Sequence, residues 1–205
     1  MTARRATRTG PGSAPGVDQR ARLLELADAL HPGLNRARSL AELDRTFRGG
    51  AAPDPLPAGF LAGRLLATQS WAPWDGVVQR IARVWMPWQG KSFDPESSTG
   101  LNRFVPLPGV RPILRTLFPG YRPVSDSSDR IEAFEFRTRL DEAAVDPGLT
   151  VAKIDYDFEA NPGLIRRILD ELVLVGDGVY LGKILYRMGR RLHPIGFFML
   201  EPPTR

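Results

Sequence analysis

Two segments near the C-terminus alternate in character residue by residue, and this period limits the fold more than any other feature. From Ile131 to Leu140, Phe134, Phe136 and Thr138 share one parity, and Glu135, Arg137 and Arg139 the other. From Val151 to Phe158, Ile154, Tyr156 and Phe158 oppose Lys153, Asp155 and Asp157. Successive side chains of a strand point to opposite faces. One apolar and one polar face per segment predicts half-buried antiparallel strands. Asp177-Gly178 is a two-residue hairpin turn, because both positions tolerate the left-handed conformation that such turns require. It leads into strands over Val179–Arg187 and Ile195–Leu200, joined through Gly189–Pro194.

Upstream, the same reading predicts strands over Phe60–Gln69, Trp88–Phe93 and Gly100–Val105. Helical periodicity appears in fewer places. Leu23, Leu26, Ala27 and Leu30 form one stripe over residues 17–30, with Asp18 as cap and His31-Pro32-Gly33 as stop. Ser39-Leu-Ala-Glu42 reads as a capping box for a second helix, whose Leu40, Leu43 and Phe47 share a face before Gly49-Gly50. Asp75 starts a short helix ending before Pro87, and a turn of helix is expected over Ile113–Phe118. Asn161-Pro162 looks like a helix start, with Leu164, Ile165, Ile168, Leu169 and Leu172 as its buried stripe. The 19 prolines and 20 glycines supply the turns that many short strands need.

The expected chain is mainly β (α+β): a small antiparallel barrel or strongly curled sheet, a few short helices and an N-terminal helical appendage. Closure is favoured because it removes exposed edges. The divisions are a disordered basic tail over 1–16, a two-helix appendage over 17–50, a proline-rich linker over 51–57 and the β domain over 58–203.

Charge and composition narrow the function. The net charge of +5 is mostly carried by Arg4, Arg5 and Arg8 in a tail without acids. A nucleic-acid face concentrates charge on the folded body, so this distribution argues against that partner. No run of eighteen apolar residues exists to span a membrane. The absence of cysteine excludes disulfides and thiolate metal sites and fits a cytoplasmic protein. His31 and His193 have no second ligand at metal spacing. His193 is the sole sensible axial ligand for a haem, and nothing near it supports that cofactor. Asp155 and Asp157 share a face with Lys153, which reads as a solvated, charge-mixed surface.

The candidate site comes from lysines and aromatics. The stretch Arg83-Val-Trp-Met-Pro-Trp-Gln-Gly-Lys-Ser-Phe-Asp94 sets Trp85 and Trp88 beside Lys91. Aromatic walls with a few polar anchors are what small-ligand pockets are made of. Lys183 shares a parity with Val179, Leu181 and Leu185, while Tyr180, Ile184 and Tyr186 take the other. Both faces are apolar, so this strand is central and its lysine must be paired, neutralised or snorkelling. Trp88, Tyr156, Tyr180 and Tyr186 are the expected walls, and Lys91 or Lys183 the charged anchor. Trp71, Trp74 and Trp85 flank the short helix and are core or mouth residues.

Gly59-Phe-Leu-Ala-Gly63, Trp85-Met-Pro-Trp-Gln-Gly-Lys-Ser-Phe93 and Gly178-Val-Tyr-Leu-Gly-Lys183 together resemble uncharacterised bacterial lipocalin-like proteins of the Gly-x-Trp-x-Gly, calycin-like type. The resemblance spans about residues 56–203, with Leu61 at the family's first tryptophan position. It implies a small antiparallel barrel with a ligand cavity. The expected function is soluble binding of a small apolar or weakly acidic molecule. Two other readings stay open. One is an enzyme using the cavity, with a lysine or Asp155 as proton-transfer group. The other is an interaction module docking through its N-terminal helices.

Overall fold

The structure, a computed structural model, describes residues 18–29, 36–69 and 87–203. Its elements in chain order are α1 (Gln19–Asp28), α2 (Arg36–Arg48), β1 (Gly59–Thr68), β2 (Trp88–Asp94), β3 (Thr99–Phe104), α3 (Val110–Leu117), β4 (Ser125–Asp126), β5 (Ile131–Glu142), β6 (Thr150–Asp155), a 3-10 turn (Ile165–Arg167), β7 (Ile168–Gly176), β8 (Val179–Met188) and β9 (Arg191–Glu201). Each pairing is antiparallel. The order β3-β2-β1-β9-β8-β7-β6-β5 is closed by β3 pairing with β5, giving an eight-stranded barrel. The two-residue β4 adds to the start of β5. Closure leaves no long free edge among the eight. The architecture is the small antiparallel barrel expected from the sequence.

The predicted parity holds along β5, where Phe134 and Phe136 are buried inside the barrel and Arg137 and Arg139 are exposed. On β6, Ile154 and Tyr156 turn inward as expected, but the other face is not solvated: Val151 and Lys153 are buried on the outer wall. β8 is central, and its two parities go to different cores. Tyr180, Ile184 and Tyr186 face the interior, whereas Val179 and Leu181 lie on the outer wall under the N-terminal helices. Those helices close over that wall. Leu23, Leu43 and Phe47 are fully buried against Val173, Leu181, Phe197 and Met199, so their apolar stripes are spent on the chain's own barrel. Asp18 caps α1 as expected, accepting from the backbone N–H of Arg20 at 3.1 Å and of Ala21 at 3.3 Å. Ala51 then exchanges two backbone hydrogen bonds with Leu174, pinning the proline-rich connection to β7.

Three local expectations are corrected. The residues after Asn161 do not form a helix: a single 3-10 turn leads straight into β7. Ile168, Leu169 and Leu172 fit an i, i+1, i+4 helical stripe and also fill both faces of a central strand, so periodicity alone did not separate the two. Asn161 instead bridges strands, its amide donating to Glu135 O at 2.7 Å and Tyr156 O at 2.9 Å. Second, α2 begins at Arg36, so Ser39 is a buried interior residue of the helix and caps nothing. Third, β9 starts at Arg191, placing His193 and Pro194 in the strand, where a register shift against Ile184 and Leu185 accommodates the proline. The basic tail, His31, Trp71, Trp74, Trp85 and the helix expected from Asp75 lie outside the described residues.

Candidate functional site

The interior of the barrel holds a polar cluster enclosed by rings. Lys91 from β2, Asn102 from β3, Asp170 from β7 and Tyr156 just beyond β6 meet there, each 2% exposed or less. Gln89-Gly90 forms a bulge between β2 and β3, and this brings Trp88, Lys91 and Phe93 all to the inner face. Gly90 makes that possible. Its φ is +146°, and a Cβ there would lie 2.0 Å from Leu61 O. The Gly90-Lys91-Ser92-Phe93 run is therefore a lysine-presenting device.

The hydrogen bonds of the cluster interlock. Lys91 Nζ lies 3.0 Å from Asp170 Oδ2 and donates to Asn102 Oδ1 at 3.1 Å and to Tyr156 Oη. Tyr156 donates its hydroxyl proton to Asp170 Oδ2 at 3.1 Å. Trp88 Nε1 donates to Asn102 Oδ1 at 3.1 Å. The Asn102 amide donates to Phe134 O at 3.2 Å and to Tyr156 Oη at 3.1 Å. One atom is left over. Asp170 Oδ1 is fully buried and has no hydrogen-bond partner among the described residues.

Among the described residues, four rings surround the ammonium. Lys91 Nζ lies 5.4 Å from the ring centre of Trp88, 5.3 Å from Phe136, 5.0 Å from Tyr156 and 5.2 Å from Phe198. At such distances the ring faces attract a cation. Three of these rings sit on glycines. A Cβ at Gly63 would lie 2.4 Å from the Trp88 ring, one at Gly100 2.3 Å from Phe136, and one at Gly182 2.1 Å from Phe198. The cage is set by glycines in the barrel wall that leave room for a ring to lie flat against the backbone.

Burial governs the electrostatics. It lowers the proton affinity of the Lys91 amine against the opposing pull of Asp170. Burial also raises the Asp170 carboxyl, with Lys91 and Tyr156 pulling it down. The Tyr156 phenol is pushed well above its ordinary value, by burial first and by Asp170 next. Burial thus pushes both groups toward their neutral forms, and their mutual attraction opposes it.

The structure brings together Trp88, Lys91 and Tyr156 of the residues expected from sequence. Tyr186 is buried two positions along β8 from Ile184, the register partner of Asp170. Tyr180 is half-buried four positions the other way, about 13 Å along the strand. Lys183 is on the opposite side of the wall. It pairs with Asp44 at 2.8 Å and with Asp146, beneath α2. Asp155 faces outward to Arg139 at 3.4 Å. His193 is opposite Tyr186 in the β8–β9 ladder. Asn102 and Asp170 were not anticipated. Asp170 had a signal: a hairpin at Asp177-Gly178 needs a strand before it as well as after it, which places Asp170 on the same parity as Ile168 and Leu172.

Among the described residues, no three His, Asp or Glu side chains converge as metal ligands. No helix there is long and apolar enough to cross a membrane. Comparison with protein-family models and with curated proteins finds no match. Among solved structures, a protein from Thermomonospora curvata is similar at 18% identity, over 92% of this chain and 100% of that one, with a TM-score of 0.49.

Proposed function

We propose that this chain is a lipocalin-like binding protein of the cytoplasm whose residues 58–203 take a small apolar molecule bearing one weakly acidic O–H. The observation that carries this reading is Asp170 Oδ1, a buried carboxylate oxygen with no hydrogen-bond partner among the described residues. Leaving such an acceptor unmet costs about 1–3 kcal/mol, and more when it is charged. A phenol or enol donating to Oδ1 satisfies it. The raised proton affinity of Asp170 strengthens that bond, and Lys91 balances the charge. Trp88, Tyr156 and Tyr186 supply apolar walls, with Tyr180 toward the far end of the barrel. Lys183 has a separate role, described below.

Calorimetric titration with a 4-alkylphenol and the matching alkylbenzene tests this directly. The phenol binds at least ~10-fold more tightly, the worth of one hydrogen bond to a charged acceptor. Equal affinities, or no binding of either, would refute the reading.

A second reading is supported by the shifts at Lys91 and Asp170. Two groups 3.0 Å apart, each driven toward neutrality by burial, can pass a proton to and from a bound substrate. It requires Lys91 to titrate well below the ordinary lysine range in nitrogen-detected NMR. A normal titration removes the proton-transfer reading and leaves binding intact.

A further inference from the structure

Three of the four exposed large apolar side chains among the described residues lie in one stretch: Leu107 at 53%, Ile113 at 43% and Val124 at 62%. That stretch, residues 105–125, contains Arg111, Arg115 and Arg122 and no acid. Its inner side closes one end of the barrel, with Val110, Leu114 and Phe118 packed into the interior core. Its outer side carries a groove of about 540 Å³ whose lining includes Arg111, Arg115, Arg122, Tyr121 and Asp126. Arg111 is held by Asp126 at 2.7 Å. Arg115 and Arg122 are exposed and make no ion pair among the described residues.

We propose that this barrel end docks on an anionic lipid surface. The two features complement such a surface together. Arginines beside exposed apolar tips are the composition of segments that lie in the headgroup region. Basic side chains near an anionic leaflet are attracted by its surface potential. Three arginines against the one carboxylate of Asp126 leave the groove net positive, and arginine grips a phosphate through two parallel N–H donors. Leu107, Ile113 and Val124 then enter the interface, where isolated apolar exposure becomes favourable. The inference is independent of what occupies the barrel. It places the cap of the barrel against the bilayer, so an apolar ligand would reach the interior from lipid.

Co-sedimentation with phosphatidylcholine vesicles, with and without phosphatidylglycerol, tests it on the full chain. The protein pellets with the anionic vesicles and stays in solution with the neutral ones, and salt weakens the association. R115E/R122E reduces partitioning at least ~10-fold, from the attraction lost at two basic positions. I113S/V124S reduces it several-fold. Both variants change exposed side chains, and thermal melting identical to wild type shows that the fold is kept. Equal behaviour with both vesicle types overturns the proposal, as does no association with either. Retention that ignores I113S/V124S and is competed by inorganic phosphate also overturns it, because the groove then takes a soluble anion.

Discussion

Two of the three buried lysines, Lys91 and Lys183, lie on opposite sides of the same barrel wall, and their surroundings differ in kind. Lys183 points outward beneath α2. It meets Asp44 and Asp146, and Arg48 binds the same two carboxylates, at 3.0 Å and 2.8 Å. Two acids and two bases interlock there, Glu171 lies across the strand pair from Lys183, and Asp44 is part-exposed to water. The Phe47 ring lies 4.4 Å from the Lys183 ammonium. This is a latch that holds the helical layer to the barrel. Lys91 points inward. Among the described residues it meets one carboxylate, is ringed by aromatics and faces an acid with an unused oxygen. The outer side has an unmet acceptor as well, Glu171 Oε2, but Glu171 accepts from the Ala144 N–H and lies among Lys153, Lys183 and Asp146. The inner acceptor lies inside a ring of aromatics beside one ammonium, and that difference separates a structural network from a candidate site.

The largest expected effect comes from breaking the inner pair on one side. Asp170→Leu leaves the Lys91 ammonium buried and unmatched, and should cost about 3–5 kcal/mol in urea denaturation. The paired replacement K91M/D170L should recover most of that loss, since a buried ion pair often contributes little over apolar residues of similar size. A double variant as unstable as Asp170→Leu alone would mean that the whole network, rather than the charge pair, holds the barrel. Lys183→Met sharpens the contrast. Arg48 stays to serve both carboxylates, so the loss should be smaller, about 1–3 kcal/mol, the scale of hydrogen bonds to a charged group. A larger loss for Lys183→Met than for Asp170→Leu would invert the comparison.

Next come the glycine seats. Gly182→Ala drives a Cβ into the Phe198 ring and should cost ~1–3 kcal/mol by overpacking, with a shift of the aromatic NMR signals around Lys91. Gly163→Ala meets nothing within 4 Å and should change stability by less than ~1 kcal/mol. Similar losses at both positions would argue against a built cage.

The smallest effect is in pH dependence. The folded chain holds the Lys91 amine below its ordinary value of 10.5. Between the lowered value and 10.5 the unfolded chain binds more protons than the folded one, so stability rises with pH across that window. Wild type should therefore gain stability relative to K91M/D170L as pH approaches 10.5. Parallel pH profiles would show that Lys91 keeps an ordinary proton affinity. The exposed Asp94, Asp126 and Asp141 carboxyls are held low, each chiefly by a side-chain hydrogen bond or ion pair. Their contribution is present at neutral pH and is lost as pH falls below the ordinary carboxyl range.

The contrast also shows what the sequence made legible. The strands β5 and β6 announced themselves by their period of two, although the charged parity of β6 proved to be buried at Lys153. The two apolar parities of β8 correctly marked a central strand. They could not say which parity faced inward, because the helical layer makes the outer wall as apolar as the interior. Lys91 and Lys183 therefore looked alike. β7 was hidden for the opposite reason. Asp170 and Glu171 interrupt an otherwise apolar run, and the same residues satisfy a helical stripe. The partner that defines the inner site thus lay in the one central strand whose pattern was broken by the site itself. Asn102 gave no signal, being one polar residue on a six-residue strand. Trp88 and Lys91 were legible together because the Gly90 bulge that co-orients them lies between them in sequence.

Native mass spectrometry of gently purified wild type, Lys183→Met and K91M/D170L, each beside a denatured sample, tests the division most directly. Wild type and Lys183→Met should carry the same added mass, released on denaturation, and the double variant should be bare. A bare wild type, or an added mass that survives K91M/D170L, would contradict the assignment of the inner pair as the binding site.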